Sequence, residues 1–212
     1  MLVSGSILSK TISPKDATIY LSKYTDLIHI DIMDGKFVSN KTYTISEVVN
    51  LSKYATKKLD IHLMVKNPIK YIDELSMLNV NNITFHYEAV KDVYKVIEHI
   101  KMMGIKVGLA INPETNVTEI TKYLSSIDYI LIMSVHPGES GQSFILSVTY
   151  KIDVLRKLID ENGYNCKISI DGGINETNID LLKEKKVDVI VSSSYLLSGN
   201  TLNKVKYIKE CI

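Results

Sequence analysis

Short apolar segments alternate with amphipathic segments along the whole chain. The apolar segments are short enough for buried strands, and we predict strands over 2–8, 27–33, 59–64, 82–86, 106–111, 129–135, 167–170 and 187–192. The segments that follow them have helical spacing, and we predict helices over 14–24, 46–54, 68–78, 90–103, 117–124, 149–162, 176–185 and 202–211. Pro14 and Pro68 lie where two of these helices begin, a position that tolerates proline.

This alternation predicts an α/β protein with a parallel sheet, because neighbouring parallel strands need crossover connections. Closing eight such units gives a (β/α)8 TIM barrel, and 212 residues are near the short end for that fold. The alternative is an open doubly wound sheet. We favour the barrel because unusual polar residues recur on several strands, whose C-terminal ends meet at one mouth in a barrel. We therefore predict a single barrel domain over residues 1–212.

Two predicted strands carry imidazole and carboxylate side chains where a core strand is normally apolar. His29 and Asp31 share one face of 27–33, and Asp60 and His62 share one face of 59–64. Burying such groups costs several kcal/mol unless they are paired or hold a metal ion. Asp171 follows the seventh strand. The candidate ligands His29, Asp31, His62 and Asp171 suit one divalent ion, Zn²⁺, Fe²⁺, Mn²⁺ or Co²⁺, without choosing among them.

Each of these residues also has an ordinary structural explanation. His62 alone would be a hydrogen-bonded core histidine, Asp31 alone would cap a turn, and Asp171 with its two following glycines would open a loop. His86, near the end of the fourth strand, is expected to pair with Glu88. The metal interpretation depends on the four candidate ligands occurring together on strands whose ends converge.

Composition narrows the class of partner. The net charge of +1 predicts neither a nucleic-acid partner nor an anionic membrane partner. Arg156 is the only arginine, so a bound phosphate must be held by backbone N–H groups, hydroxyls or lysine. Cys166 and Cys211 lack metal-type spacing and are expected to be small apolar packers in a reducing cytosol. The N-terminus lacks signal-peptide features and no apolar segment is long enough for a bilayer, so we expect a cytoplasmic protein.

Several motifs resemble the ribulose-phosphate 3-epimerase family over nearly the whole chain, in both order and spacing. The matching segments are SILS at 6–9, HIDIMDGKFV at 29–38, DIHLMV at 60–65, GLAINPET at 108–115, MSVHPG at 133–138, GQSF at 141–144 and DGGI at 171–174. The resemblance implies that His29, Asp31, His62 and Asp171 bind one divalent ion. It also implies that Asp31 and Asp171 are the paired acid and base, that the substrate is a sugar phosphate, and that the protein is a homo-oligomer.

The chemistry that the resemblance implies is physically consistent with two carboxylates. Inverting a carbon next to a ketone requires removal of its proton from one face and return of a proton to the other face. We expect Asp31 to accept the proton and Asp171 to donate one, with the roles exchanged in reverse. The expected reaction interconverts D-ribulose 5-phosphate and D-xylulose 5-phosphate, with a metal ion stabilising the enediolate.

The resemblance further assigns substrate contacts and a methionine lining. The expected substrate contacts are Ser6, His62, Gly138, Glu139, Ser140, Gly141, Gly172, Gly173, Ser193 and Ser194. Met33, Met64 and Met133 are expected to line the pocket, with a shared role as core filler. The family usually has an aromatic residue and a glycine in place of Glu139-Ser140, and Gly-Ser in place of Ser193-Ser194. These departures leave two alternatives open: a 3-epimerase of a ketohexose 6-phosphate such as D-allulose 6-phosphate, and a non-catalytic barrel that binds a sugar phosphate.

Overall fold

Eight parallel strands close into a barrel in the order in which they occur along the chain. The computed structural model describes residues 1–210. The strands are β1 (Leu2–Ser6), β2 (Leu27–Met33), β3 (Leu59–Met64), β4 (Val80–His86), β5 (Lys106–Ile111), β6 (Tyr129–Met133), β7 (Lys167–Asp171) and β8 (Val189–Ser192). Each strand pairs with its neighbour in sequence, and β8 pairs with β1 to close the ring. The predicted (β/α)8 TIM barrel is confirmed.

The helices surround this barrel. Within residues 1–210 the α-helices are α1 (Pro14–Leu21), α2 (Ile45–Ser52), α3 (Ile69–Ser76), α4 (Val93–Met102), α5 (Thr149–Asn162), α6 (Ile179–Glu184), α7 (Ser194–Leu197) and α8 (Thr201–Lys209). Short 3₁₀ helices cover Tyr87–Ala89, Val117–Glu119, Thr121–Ser126 and Leu146–Val148. Ser13 caps α1 through a hydrogen bond to the Asp16 N–H, with Pro14 in the first turn as predicted.

The stretch predicted as one helix over 117–124 is helical, but it is divided and is not an α-helix. Two 3₁₀ helices, Val117–Glu119 and Thr121–Ser126, occupy this stretch instead. The backbone N–H groups of Glu119 and Ile120 donate to the carbonyls three residues before them, Asn116 and Val117, both at 3.1 Å, which is the 3₁₀ pattern rather than the α-helical one. The short helix α7 was not predicted, because four residues are too few to show a helical period.

Several predicted ends differ from the structure by two residues. Strands β1 and β6 end earlier than predicted, β8 begins later, and β4 begins earlier. Cys166 is buried, as predicted. Cys211 lies outside the described residues, as does the end of the predicted 202–211 helix. No described helix combines the length and the apolar character needed to cross a membrane.

The core has two parts because alternate strand residues point to opposite sides. The outward strand residues, such as Ile28, Ile30 and Ile32 of β2, pack against the helices in one large apolar layer. The barrel interior is only partly apolar, with a small cluster of Ala110, Leu131, Met133, Val135 and Val191. Many of the other interior positions carry polar and ionisable side chains, and these form the site described below.

Three aspartates at the N-terminal end of the barrel connect neighbouring strands by hydrogen bonds. Asp26, Asp128 and Asp188 come directly before β2, β6 and β8. Their carboxylates accept hydrogen bonds of 2.8 Å from the backbone N–H groups of Val3, Val107 and Ile168, respectively. Each aspartate therefore ties an odd-numbered strand to the next strand, at the end of the barrel opposite the polar site.

Candidate active site

The four predicted ligands meet at the C-terminal mouth of the barrel. His29 and Asp31 lie on β2, His62 lies on β3, and Asp171 is the last residue of β7. Strand register places Asp31 directly beside His62. One nitrogen or carboxylate oxygen from each residue lies within 4.8 Å of those of the others. The sequence-based grouping is therefore matched by the geometry.

Asp31 lies at the centre of this group, which we call the candidate metal cluster. Its Oδ1 is 3.1 Å from His29 Nε2 and 2.9 Å from His62 Nδ1. Asp171 Oδ2 is 3.8 Å from the same two nitrogens. The hydroxyl of Ser6 donates to Asp31 Oδ2 at 3.2 Å. The ring nitrogens that face the shared space are thus Nε2 of His29 and Nδ1 of His62.

A buried carboxylate holds the other side of the His29 ring. Asp60 Oδ2 is 2.8 Å from His29 Nδ1, and it also accepts a hydrogen bond of 2.7 Å from Ser4 Oγ. The side-chain amide of Asn82 donates to Asp60 Oδ1 at 2.6 Å. Asp60 was not assigned a role from the sequence, although its position two residues before His62 on the same strand face was the available signal.

The absence of a side chain at Gly108 leaves room for this polar network. A Cβ at Gly108 of β5 would lie 2.1 Å from Thr84 Oγ1, well inside any permitted contact. Thr84 Oγ1 in turn accepts from the Asn82 amide at 3.2 Å. A glycine at this point of the strand therefore permits the close approach that the buried side chains need.

A second imidazole holds the other side of the His62 ring. His62 Nε2 is 2.9 Å from His86 Nε2, and His86 Nδ1 is 3.2 Å from Glu88 Oε2. The predicted pairing of His86 with Glu88 is confirmed, while its contact with His62 was not foreseen. Burial lowers the pKa of His86 to about 4, so this ring is neutral near pH 7.

The pKa values of the two aspartates of the cluster are shifted in opposite directions. Burial alone would raise the pKa of Asp31, but the charge of His29 and hydrogen bonds from His29 and His62 outweigh it and hold that pKa well below its usual range. Burial, followed by the charge of Asp31, raises the pKa of Asp171 to about 7. Burial opposes the charged form of His29, but Asp31 and Asp60 outweigh it and raise the His29 pKa well above its ordinary value. At neutral pH one carboxylate is ionised and the other can hold a proton.

A pocket opens above the cluster, and the loops at the barrel mouth form its walls. The lining includes the predicted residues Ser6, Met33, Met64, Met133, Gly138, Glu139, Ser140, Gly141, Gly172, Gly173, Ser193 and Ser194. His62 is fully buried and does not line this pocket, so its predicted direct contact with substrate stays a prediction. Within residues 1–210 no lysine or arginine lines the pocket, so the donors to an anion are backbone N–H groups, hydroxyls and the side chains of His136 and Gln142.

Known proteins are similar in sequence to this chain over most of its length. The sequence model of the ribulose-phosphate 3 epimerase family matches residues 2–197. The chain belongs to that family. A ribulose-phosphate 3-epimerase from Buchnera aphidicola is 38% identical over 203 residues, which are 93% of this chain and 89% of that protein. One from Helicobacter pylori is 35% identical over 199 residues, 94% of this chain and 92% of that protein. The predictions of the family and of an epimerase are confirmed.

Solved structures share the fold at low sequence identity. A structure described as KGPDC from Streptococcus mutans superposes with a TM-score of 0.68 at 10% identity, covering 99% of both chains. A tryptophan synthase structure from Mycobacterium tuberculosis superposes with a TM-score of 0.69 at 8% identity, covering 98% of this chain and 89% of that chain. These similarities support the barrel fold and carry no conclusion about activity.

The departures of this epimerase-family chain from the family pattern fit the backbone without strain. Ser193 has φ −116°, so a Cβ is tolerated there, and its hydroxyl donates to the Leu8 carbonyl at 2.8 Å. The hydroxyl proton is therefore already donated to that carbonyl, and the backbone N–H of Ser193 is the better candidate donor of a hydrogen bond to an anion. Glu139 is exposed, and its carbonyl accepts a hydrogen bond of 3.0 Å from the side chain of Gln142.

The loop after β6 packs on the glycine pair after β7. Gly173 has φ +63°, and a Cβ there would lie 2.5 Å from the backbone nitrogen of Phe144. The side-chain amide of Asn40 donates to the Gly138 carbonyl at 2.9 Å, which joins the loop after β2 to the same β6 loop. The segments after β2 and β7 therefore hold the pocket-lining loop after β6 through contacts that depend on small residues and on backbone carbonyls.

Proposed function

We propose that this protein interconverts D-ribulose 5-phosphate and D-xylulose 5-phosphate by proton transfer at C3. The observation that carries the proposal is the pair Asp31 and Asp171, on different walls of the barrel, with carboxylate oxygens inside one 4.8 Å cluster. Because the pKa of Asp31 is lowered and that of Asp171 is raised, the pair supplies an ionised base and a protonated acid at the same pH. The relatives are named ribulose-phosphate 3-epimerases, which supports ribulose phosphate as the substrate and C3 as the reacting carbon.

Asp31 acts as the base in one direction and Asp171 as the acid. The ionised Asp31 carboxylate removes the proton from C3, and Asp171 delivers its proton to the opposite face of the same carbon. The roles exchange in the reverse direction, because the product then has Asp31 protonated and Asp171 ionised. The buried pocket floor, with Met33, Met64 and Met133, keeps water away from the reacting carbon.

The donor set of the cluster fits a divalent metal ion. His29, Asp31, His62 and Asp171 offer two imidazole nitrogens and carboxylate oxygens, which suit Zn²⁺, Fe²⁺, Mn²⁺ or Co²⁺. Within residues 1–210 no group donates a hydrogen bond to the Asp171 carboxylate, so its lone pairs are available to a cation. A bound divalent ion would stabilise the negative charge that develops on the C2 and C3 oxygens of the substrate.

The second hydrogen-bond partner of each histidine supports the same conclusion. Asp60 contacts the far nitrogen of His29, and His86 contacts the far nitrogen of His62. Metal-binding histidines are typically held in this way, because the outer hydrogen bond fixes the tautomer and the ring orientation. The near nitrogens, His29 Nε2 and His62 Nδ1, are the ones that would bind the ion.

The direct test is a coupled epimerase assay on protein stripped of metal and then restored with each candidate ion. We expect turnover of D-ribulose 5-phosphate only in the restored protein. Full activity after stripping would contradict a metal-dependent reaction, and binding of the sugar phosphate without turnover in restored protein would favour the non-catalytic alternative.

The exposed Glu139 at the pocket mouth is the observation that favours testing a second candidate substrate. A 3-epimerase of D-allulose 6-phosphate would use the same two carboxylates on a longer sugar. Comparison of kcat/KM for the pentose and hexose phosphates decides between them, and we expect the pentose to be preferred. The cytoplasmic location and the homo-oligomer stay predictions.

A further inference from the structure

A line of polar side chains leads from His62 away from the pocket, to the end of β4. His62 Nε2 contacts His86 Nε2 at 2.9 Å, and His86 Nδ1 contacts Glu88 Oε2 at 3.2 Å. Both imidazoles are fully buried. The two-carboxylate reaction gives no role to His86 or Glu88, so their arrangement needs a separate explanation.

When both rings are neutral, this line of contacts is one proton short. The two rings make three close contacts in a row: His62 with Asp31, His62 with His86, and His86 with Glu88. Each contact needs one N–H proton, whereas two neutral imidazoles carry two. Because one proton must lie between the two Nε2 atoms, either His62 Nδ1 or His86 Nδ1 is left without one. A cation bound at His62 Nδ1 would remove the shortage.

Glu88 determines which end of the line lacks the proton. Its Oε1 accepts from the backbone N–H of Asn112 at 2.7 Å and from the Thr115 hydroxyl. The buried ammonium of Lys151 anchors that turn by donating to the carbonyls of Asn112 and Thr115, at 2.8 and 2.7 Å. With Oε1 held in this way, Oε2 faces His86. An ionised carboxylate only accepts hydrogen bonds, so His86 must carry its proton on Nδ1.

We propose that Glu88, acting through His86, selects the tautomer of His62 that leaves Nδ1 free to bind the metal ion. With its proton on Nδ1, His86 accepts at Nε2, and His62 must then carry its own proton on Nε2. The lone pair of His62 Nδ1 is left facing the cluster. His86 and Glu88 are thus positioning residues, and this inference rests on the metal site of the proposed function.

The test is Glu88→Gln, which keeps the shape of the side chain and changes one hydrogen-bonding group. The Asn112 N–H holds the new carbonyl oxygen, so the amide NH₂ must face His86 Nδ1. His86 then carries its proton on Nε2 instead of Nδ1, and His62 carries its proton on Nδ1 instead of Nε2. We expect Zn²⁺ affinity, measured by chelator competition, to fall about 10–100-fold. Glu74→Gln, the same change at an exposed position on α3, should leave the affinity unchanged.

A second measurement does not depend on how the variant folds. In Zn²⁺-loaded wild-type protein, long-range ¹H–¹⁵N spectra report which ring nitrogen of each histidine carries a proton. We expect His86 to be protonated on Nδ1 and unprotonated on Nε2. A proton on His86 Nε2 in that spectrum, or a Zn²⁺ affinity in Glu88→Gln within about twofold of wild type, would overturn the inference.

The outcomes separate this inference from the proposed function. An active wild-type enzyme whose Zn²⁺ affinity survives Glu88→Gln would refute the role of Glu88 alone. A wild-type protein that binds Zn²⁺, loses affinity in Glu88→Gln and turns over no sugar phosphate would refute the proposed reaction alone. A wild-type protein with no affinity for Zn²⁺, Fe²⁺, Mn²⁺ or Co²⁺ would refute both.

Discussion

Metal binding at the cluster should displace a proton from Asp171, and the amount displaced should change with pH. Burial and the charge of Asp31 raise the pKa of Asp171 to about 7, whereas a cation binds the ionised carboxylate more tightly than the protonated one. The Asp31 pKa stays well below this range, and the His29 pKa stays well above its ordinary value. Asp171 is therefore the carboxyl of the cluster that changes protonation near neutrality.

The magnitude follows from that pKa. Roughly nine-tenths of Asp171 is protonated near pH 6 and roughly one-tenth near pH 8. Because the folded-state pKa is raised, acid favours the protonated form and weakens cation binding. Asp171 should therefore release about 0.8 fewer protons per bound cation near pH 8 than near pH 6, and the apparent affinity should be roughly tenfold higher at the upper pH.

Calorimetric titration with Co²⁺ in two buffers of different ionisation enthalpy measures this proton release. Asp171→Asn is the matched control, because an amide at that position keeps the shape and does not titrate. The variant should lack the pH-dependent difference that the wild-type protein shows, beyond any contribution from the histidines common to both. Identical pH dependence in wild type and Asp171→Asn would refute the assigned acidity of Asp171.

Substitutions at three positions test separate parts of the structure. Asp31→Asn should lower kcat about 10²–10⁴-fold at saturating Co²⁺ in the coupled assay, and an unchanged kcat would exclude Asp31 as a base. Gly173→Ala should raise KM for the sugar phosphate, because its Cβ would collide with the Phe144 backbone and displace the loop after β6, whose residues 137–142 line the pocket. An unchanged KM would show that this packing is not needed. Asp128→Ala should lower the free energy of unfolding by about 1–3 kcal/mol in urea, because the Val107 N–H loses its acceptor, whereas Asp128→Asn should cost less.

Period-two alternation made the barrel and the grouping of the candidate metal cluster predictable. His29 and Asp31 are inward neighbours on one strand, and parallel register then places His62 beside Asp31. Asp171 could be added because the C-terminal ends of all strands meet at one mouth. These conclusions depend on strand periodicity and on parallel pairing, which are both visible in the sequence.

The surroundings of the cluster depend on contacts between distant segments and were not predicted. Lys151 lies on α5 and would ordinarily be expected in solvent, yet it is fully buried and donates to two carbonyls of the turn after β5. Glu88 is held by that same turn, 24 or more residues away in sequence. No periodic pattern reports a side chain that reaches across two loops, so only the folded structure shows this line of contacts.

Turnover in heavy water is the measurement closest to the central claim, that two aspartates exchange a proton at one carbon across a bound sugar. Metal-restored protein incubated with D-ribulose 5-phosphate in D₂O should give D-xylulose 5-phosphate that carries deuterium at C3, because the incoming proton comes from a carboxyl in exchange with solvent. Product formed without label from solvent would contradict the account, whatever metal the protein holds.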